Sequence, residues 1–370
     1  MQRITVSLAV LLLCAAPVAA VEWQEVVGDG IGPGSGFGDI SNERVQVMAS
    51  FGGRLYVGTY DNAEVWRSLD GVAWQQATTA GFGDDGNDHV QSMAVFGGAL
   101  YAGTANLAGC EVWRSSNGAS WTQVNANGFG DTDNDHALAM AVHGGALWVT
   151  TWGLYGCEVW RSANGTSWSQ VNAPGFGDIN NQEANALASF GGTVYVGTEG
   201  CEMWRWDGGT SWTQVNTSGF GNPSNSTIRS MAVFGPHLYA STSNLSGCEV
   251  WRTANGITWN RVVVGGFGDS ANDHCRSLAV IGGNLVLGTY NSAVGAEVWS
   301  SADGETWFQI GNAGLGDSEN EDIRGMGAFG RHLYVGTANS YGCEVWRTSV
   351  IFADGFESGG TTRWSSTAVE

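Results

Sequence analysis

The sequence contains no lysine. All 15 basic residues are arginine, against 35 acids, for a formal charge of -20. Without a lysine amine, Schiff-base chemistry is excluded. The acidic balance argues against nucleic acid as a partner, because affinity for a phosphate backbone comes from clustered positive charge. Proline is scarce, 5 of 370, and charged residues are only 14%. Beyond the first segment there is no apolar run of about 18 residues, so no membrane span is expected. Nor is there a 3.6-residue apolar period, which excludes a helical solenoid. What is abundant is glycine, 57 of 370, beside 11% aromatic residues. That pairing points away from disorder and toward many short strands joined by tight turns. The length is ample for a large core, in one all-β domain or two smaller ones.

The first 20 residues read as a secretion signal. Arg3 supplies the charged start, an apolar run follows from Ile4 to Ala16, and Val18-Ala19-Ala20 supplies a small-residue cleavage site. Cleavage near Ala20 predicts a secreted or periplasmic protein, with Cys14 discarded.

Internal repetition organises the rest. Glu-Val-Trp or a variant centres on Trp66, Trp113, Trp160, Trp204, Trp251, Trp299 and Trp346, with spacings of 47, 47, 44, 47, 48 and 47. A Gly-Phe-Gly-Asp element recurs at Phe37, Phe82, Phe129, Phe176, Phe220 and Phe267, altered at Leu315. Each repeat reads as four short strands. In the second these are Gln91 to Phe96, Leu100 to Thr104, Cys110 to Ser115 and Trp121 to Val124, with Asn117-Gly118 as a hairpin turn. Short strands at this spacing fit propeller blades. The expected fold is all-β, a single seven-bladed β-propeller over residues 21–349 with four-stranded blades. The seventh repeat lacks a fourth strand after Arg347, and the missing copy stands at the other end of the chain as Trp23-Gln24-Glu25-Val26. The N-terminal strand is therefore expected to complete the last blade, closing the ring and removing its open edge.

Turns between third and fourth strands, Ser301-Ala302-Asp303-Gly304-Glu305-Thr306-Trp307 and Ser68-Leu69-Asp70-Gly71-Val72-Ala73-Trp74, resemble the Asp-box of sialidase-type (BNR) propellers. Several copies carry Asn instead, as at Asn117 and Asn164, and the spacing is one residue short of the pattern. The resemblance implies a fold that also serves some xyloglucanases and non-catalytic propellers. It implies no particular reaction. The acidic or amide side chain is expected to bond turn amides.

Antiparallel strands alternate ends, so inter-blade loops and second-to-third-strand loops share one rim, here called the top. Variation among repeats concentrates there, where ligand choice is set. Tyr60, Trp152 and Tyr290 lie in those loops as candidate ligand contacts, with Tyr155 and Tyr341. An asparagine recurs in every inter-blade loop, from Asn42 to Asn320, and reads as a brace. His89, His136 and His274 share one repeat position but sit in repeats two, three and six, too dispersed for one zinc site. Asp131, Asp133 and Asp135 alternate like a calcium loop, the only metal or cofactor expectation, set against a solvated acidic loop. Arg229, Arg276 and Arg324 share another position near the channel mouth. Adjacent guanidiniums can clamp a carboxylate or phosphate. The alternative is ion pairing with acids such as Asp322 or Glu321. Sialidases use an arginine triad, which this cluster matches by location only.

Five cysteines (Cys110, Cys157, Cys201, Cys248, Cys343) hold one repeat position. Neighbouring blades pack about 10 Å apart, whereas a disulfide needs Cα atoms within about 7 Å. Equivalent cysteines should not bridge, Cys275 has no visible partner, and all are expected as free thiols. The segment 350–370 leaves the repeat and resembles a short tail of some exported bacterial proteins.

The leading expectation is a secreted, non-catalytic, monomeric binding protein whose top rim contacts a glycan or a protein. One alternative is a glycoside hydrolase of sialidase or xyloglucanase type, which needs a carboxylate pair in one cleft. The other is a structural or assembly scaffold.

Overall fold

The computed structural model describes residues 21–28, 32 and 34–349. The expected signal segment and the tail at 350–370 lie outside them. Among the described residues there are 28 strands and no α-helix. The strands pair antiparallel in consecutive fours. Blade one is Val45–Phe51, Arg54–Thr59, Val65–Ser68 and Trp74–Gln76. Blade two is Asn87–Phe96, Ala99–Asn106, Val112–Ser115 and Thr122–Gln123, a longer first strand and a shorter fourth than the pattern predicts. Blade seven takes Asp322–Phe329, His332–Ala338 and Val345–Ser349 from the chain end, and its fourth strand is Trp23–Val27 from the beginning. Trp23 faces Thr348 and Glu25 faces Trp346 across that pairing. The result is a seven-bladed propeller closed by its N-terminal strand.

Closure can be checked bond by bond. Between blades two and three, the Cys110 amide donates to the Asn134 carbonyl at 2.8 Å and the Gly128 amide to the Cys110 carbonyl at 2.8 Å. Between blades seven and one, Cys343 N donates to Asn42 O and Gly36 N to Cys343 O, both at 2.8 Å. The seam repeats the interior joint.

Aromatic packing explains the repeat. Phe37 stacks on Trp66 at 4.9 Å and meets Trp74 edge-on at 5.6 Å. Five further phenylalanines do the same in blades two to six, and Leu315 joins the equivalent cluster with Trp346 and Trp23 in blade seven. Each of these seven residues holds a left-handed backbone, φ 54–65°. That conformation costs an L-residue about 1–2 kcal/mol. Aromatic pairs at these distances return about 0.5–1.5 kcal/mol beyond burial.

The recurring asparagine is a brace, as expected, and its partner is the Glu of Glu-Val-Trp. Glu64 Oε2 accepts from Asn42 Nδ2 and from Trp66 Nε1, both at 2.9 Å. The same three residue types meet in every blade, ending with Asn320, Glu344 and Trp346. On the bottom, Asp70 Oδ1 accepts the amides of Val72 and Ala73, both at 2.8 Å, and Asn117 Oδ1 does the same for Ala119 and Ser120.

One expectation is overturned. Cys248 and Cys275 form a disulfide, with Cα atoms 5.5 Å apart. The spacing argument holds for equivalent positions, and Cys110, Cys157, Cys201 and Cys343 are indeed free and buried. Cys248 and Cys275 are not equivalent. The second-to-third-strand loop of one blade lies against the inner strand of the next, so Cys248 in blade five reaches Cys275 in blade six.

Candidate ligand-binding site at the channel mouth

Seven equivalent inner-strand residues, Gln46, Gln91, Leu138, Asn185, Arg229, Arg276 and Arg324, line one axial cavity of about 230 Å³. A local device aims them. In six blades the strand register slips at this residue, which is left as the extra member of a β-bulge. A bulge bends its strand and redirects a side chain. In blade four Asn185 precedes the strand Ala186–Phe190. Larger grooves of about 600 and 450 Å³ open between outer strands of blades two and three and of blades one and two, but they expose the Phe-Trp packing and carry no charged side chain. The chemistry is in the smaller axial cavity.

The structure brings the three arginines together there, and the ion pairs foreseen as their alternative role are also present. Asp322, 3% exposed, has Arg324 Nε at 2.7 Å and Arg276 Nε at 3.1 Å. Burial pushes its carboxyl up, but the two guanidiniums outweigh that and hold it below the usual range. Arg324 Nη1 also donates to Gln46 Oε1 at 3.1 Å. Arg229 Nε donates to Ser243 Oγ at 2.6 Å, and its Nη1 stands 3.8 Å from Glu183. Burial, with Arg324 and Arg229 nearby, lowers Arg276 to about 10 despite Asp322.

Above this tier lies a second one, at the start of each inner strand and the end of each second strand. Here Tyr60, Trp152 and Tyr290 stand in blades one, three and six, all half-buried. Tyr60 stacks on His89 at 3.5 Å, with Arg44 over its ring at 4.4 Å. Trp152 meets His136 edge-on at 5.9 Å. Tyr290 lies 5.3 Å from His274, with Arg276 at 5.6 Å from its ring. Burial lowers His274 to about 3 and His89 to about 4, helped in the first case by Arg276 and Arg229. The rings rim the mouth from different blades and do not form one platform. Tyr155 and Tyr341 are exposed farther out.

The three aspartates proposed for calcium do not converge. Asp131 Oδ1 accepts the Asp133 amide at 3.0 Å, a turn cap that Asp84, Asp178, Asp269 and Asp317 repeat in other blades. Asp135 is buried and pairs with His136 Nδ1 at 2.5 Å. Among the described residues no group of three or more His, Cys, Asp or Glu side chains is placed to hold a metal ion.

One acidic pair escaped the sequence reading. Glu183 and Glu199 flank the first two strands of blade four, in isolated bridges to Trp152 of blade three and Thr227 of blade five, and the Glu199 amide donates to the Glu183 carbonyl at 3.0 Å. Burial, and then the charge of Glu183, raise the Glu199 carboxyl, partly opposed by its bond from Gln182 N and by Arg229. The visible signal was the short 44-residue spacing, which marks a trimmed loop beside Glu199.

No protein-family model matches the chain, and no curated protein matches it. Solved structures do. A streptogramin B lyase is similar over 89% of this chain and 98% of its own, with TM-score 0.66 and 8% identity. The extracellular domain of a putative hybrid two component system from B. thetaiotaomicron is similar over 84% of this chain, with TM-score 0.57 and 13% identity. PorZ, a bacterial surface component of the type-IX secretion system of Porphyromonas gingivalis, is similar over 89%, with TM-score 0.56 and 13% identity. This chain spans 40% and 39% of the latter two. At such identities the likeness establishes a β-propeller fold and nothing about activity. No helix among the described residues is long and apolar enough to cross a membrane.

Proposed function

We propose that the protein is an exported, non-catalytic binding module that acts as a monomer and takes a glycan or protein partner at the top of its channel. The observation that carries this reading is the convergence of variable side chains on one mouth. Arg229, Arg276 and Arg324 face the cavity while Tyr60, Trp152 and Tyr290 rim it. The blade bodies, by contrast, repeat the same Asn-Glu-Trp brace and aromatic cluster. Side chains that differ among blades gather where a ligand would sit, and those that recur hold the scaffold. The turn bonds of Asp70 and Asp303 support the likeness to Asp-box propellers, in which that side chain serves the fold. Export rests on the signal-like first 20 residues, and a metal is not part of the reading.

A hydrolase is the second reading, and the Glu183 and Glu199 pair favours it. Two acidic residues joined by a backbone hydrogen bond, one with its carboxyl pKa raised, are the raw material of glycoside hydrolysis. A glycan array and a hydrolysis screen on one preparation separate the two. Retention without products supports the binding module, and products abolished by Glu199→Gln replace it with the hydrolase. No retention and no products would leave an assembly scaffold.

A further inference from the structure

We propose that the channel mouth holds one small anionic group, a carboxylate or a phosphate, on Arg229 and Arg276, and that Arg324 is not among its ligands. The inference rests on the binding reading above and names the chemistry of what is bound.

The three arginines are unequal. Arg324 is committed, with Nε on Asp322 and Nη1 on Gln46. Arg229 spends only Nε, on Ser243, and its Nη1 is beyond hydrogen-bonding distance of Glu183. Arg276 makes no hydrogen bond among the described residues, because its Nε approaches Asp322 at an angle that forms none. Its side chain is only 13% exposed. Guanidinium donors removed from water without an acceptor are costly, and a charged acceptor relieves that cost most. Among the described residues, the three guanidiniums have two carboxylates within ion-pair distance, Asp322 and Glu183.

Two further observations agree. Oδ1 of Asp322, a side chain 4% exposed, also lacks a hydrogen-bond partner among the described residues, so the polar lining is incomplete on both signs. The cavity, about 230 Å³, is below the usual range for drug-sized ligands, about 300–1,000 Å³. It admits one charged group borne on a chain end or a branch. Two guanidiniums from adjacent blades can bond such a group from two directions.

The test is calorimetric titration of the whole protein at low salt with inorganic phosphate and, separately, glucuronate. One saturable site is expected for at least one of them, and the preferred anion identifies the source. Arg229→Gln and Arg276→Gln should each weaken binding about ten-fold or more, the range for a charged hydrogen bond. Arg324→Gln should melt earlier and weaken binding less than either of the other two. If Arg276→Gln fails to fold because Asp322 keeps only Arg324 as partner, the double variant Arg276→Gln with Asp322→Asn removes both charges and should still lose the anion. Absence of saturable binding by either anion overturns the inference. So does an Arg324 variant as weak as the others, or a double variant that binds like the parent. An empty glycan array with intact anion titration removes only the polymer-binding reading. Array binding without anion titration removes only this inference.

Discussion

The Tyr334 hydroxyl in blade seven occupies the space beside Gly71 in blade one, where a Cβ on that glycine would lie 1.8 Å from it. Four other contacts repeat this lock from each blade to the next: Tyr56 on Gly118, Tyr101 on Gly165, Tyr195 on Gly256 and Tyr239 on Gly304. The two exceptions are coordinated. Blade three carries Trp148 at the tyrosine position, and the blade four turn it meets is rebuilt around Trp206, 5.0 Å away. Blade six carries Val286, and it faces the seam of blade seven, where the described residues hold no such turn.

The lock predicts a contrast between two glycine substitutions. Gly71 and Gly97 both hold positive φ, 74° and 56°. A Cβ at Gly97 meets nothing within 4 Å, whereas at Gly71 it strikes Tyr334. Gly97→Ala should cost about 1–2 kcal/mol from backbone strain alone. Gly71→Ala should cost about 1–3 kcal/mol more from overpacking. Denaturant unfolding of both variants checks this, and equal losses would mean that the lock carries no energy.

Ring closure predicts an unusually important N-terminal strand. Trp23 packs with Val286 and Ile310, and its Nε1 donates to the Ile310 carbonyl at 3.0 Å. Trp23→Ala should cost about 3 kcal/mol, the low end for a tryptophan truncation because the ring is only partly buried. Removing residues 21–27 should cost more and leave Val345–Ser349 as an open edge prone to self-association. A truncated protein that melts as cooperatively and as high as the parent would refute the closure.

Cysteine chemistry gives a countable result. Labelling in denaturant without reductant should modify Cys110, Cys157, Cys201 and Cys343 and spare Cys248 and Cys275. The neighbour geometry that brings Cys248 to Cys275 also places Ala137 against Cys110. Ala137→Cys should therefore form a second disulfide under oxidising conditions, detectable as a cross-linked peptide. Its failure to form would show that the joint between blades two and three differs from that between five and six.

Protonation of the mouth has a definite sign. His274 and His89 titrate near 3 and 4 in the folded protein, below the ordinary 6.5. The unfolded chain therefore takes up their protons first as pH falls. Their stabilisation is full above about pH 6.5 and is lost progressively toward pH 4 and below. Unfolding midpoints measured from pH 7 to 4 should fall less steeply for His274→Gln than for the parent. Parallel curves would mean that the imidazole is not held neutral.

Much of this was legible because repetition converts a sequence into its own comparison. The Trp66-to-Trp346 ladder defined the blades, and the spare Trp23 strand defined the seam. Aligned repeats also put Arg229, Arg276 and Arg324 at one position, and the structure places them around one cavity. What stayed hidden links unlike positions. Cys248 and Cys275 occupy different slots of the repeat, so a comparison of equivalent slots could not pair them. Glu64 recurs as faithfully as Trp66, but its bond to Asn42 spans two loops and has no spacing signature. The acids at Asp131 and Asp133 look like metal ligands in sequence because turn capping and metal binding draw on the same oxygen-bearing residue.

The most direct test of the account is where a retained ligand sits. An array of uronate-bearing, phosphorylated and neutral glycans, with bacterial surface proteins alongside, should be probed with the parent, a double mouth variant Arg229→Gln with Arg276→Gln, and the bottom-face variant Phe308→Ala. Phe308 is 65% exposed on an outer strand, far from the channel. The account predicts an anionic partner retained by the parent and by the Phe308 variant and released by the mouth variant. Retention that survives the mouth variant and disappears with Phe308→Ala would contradict it.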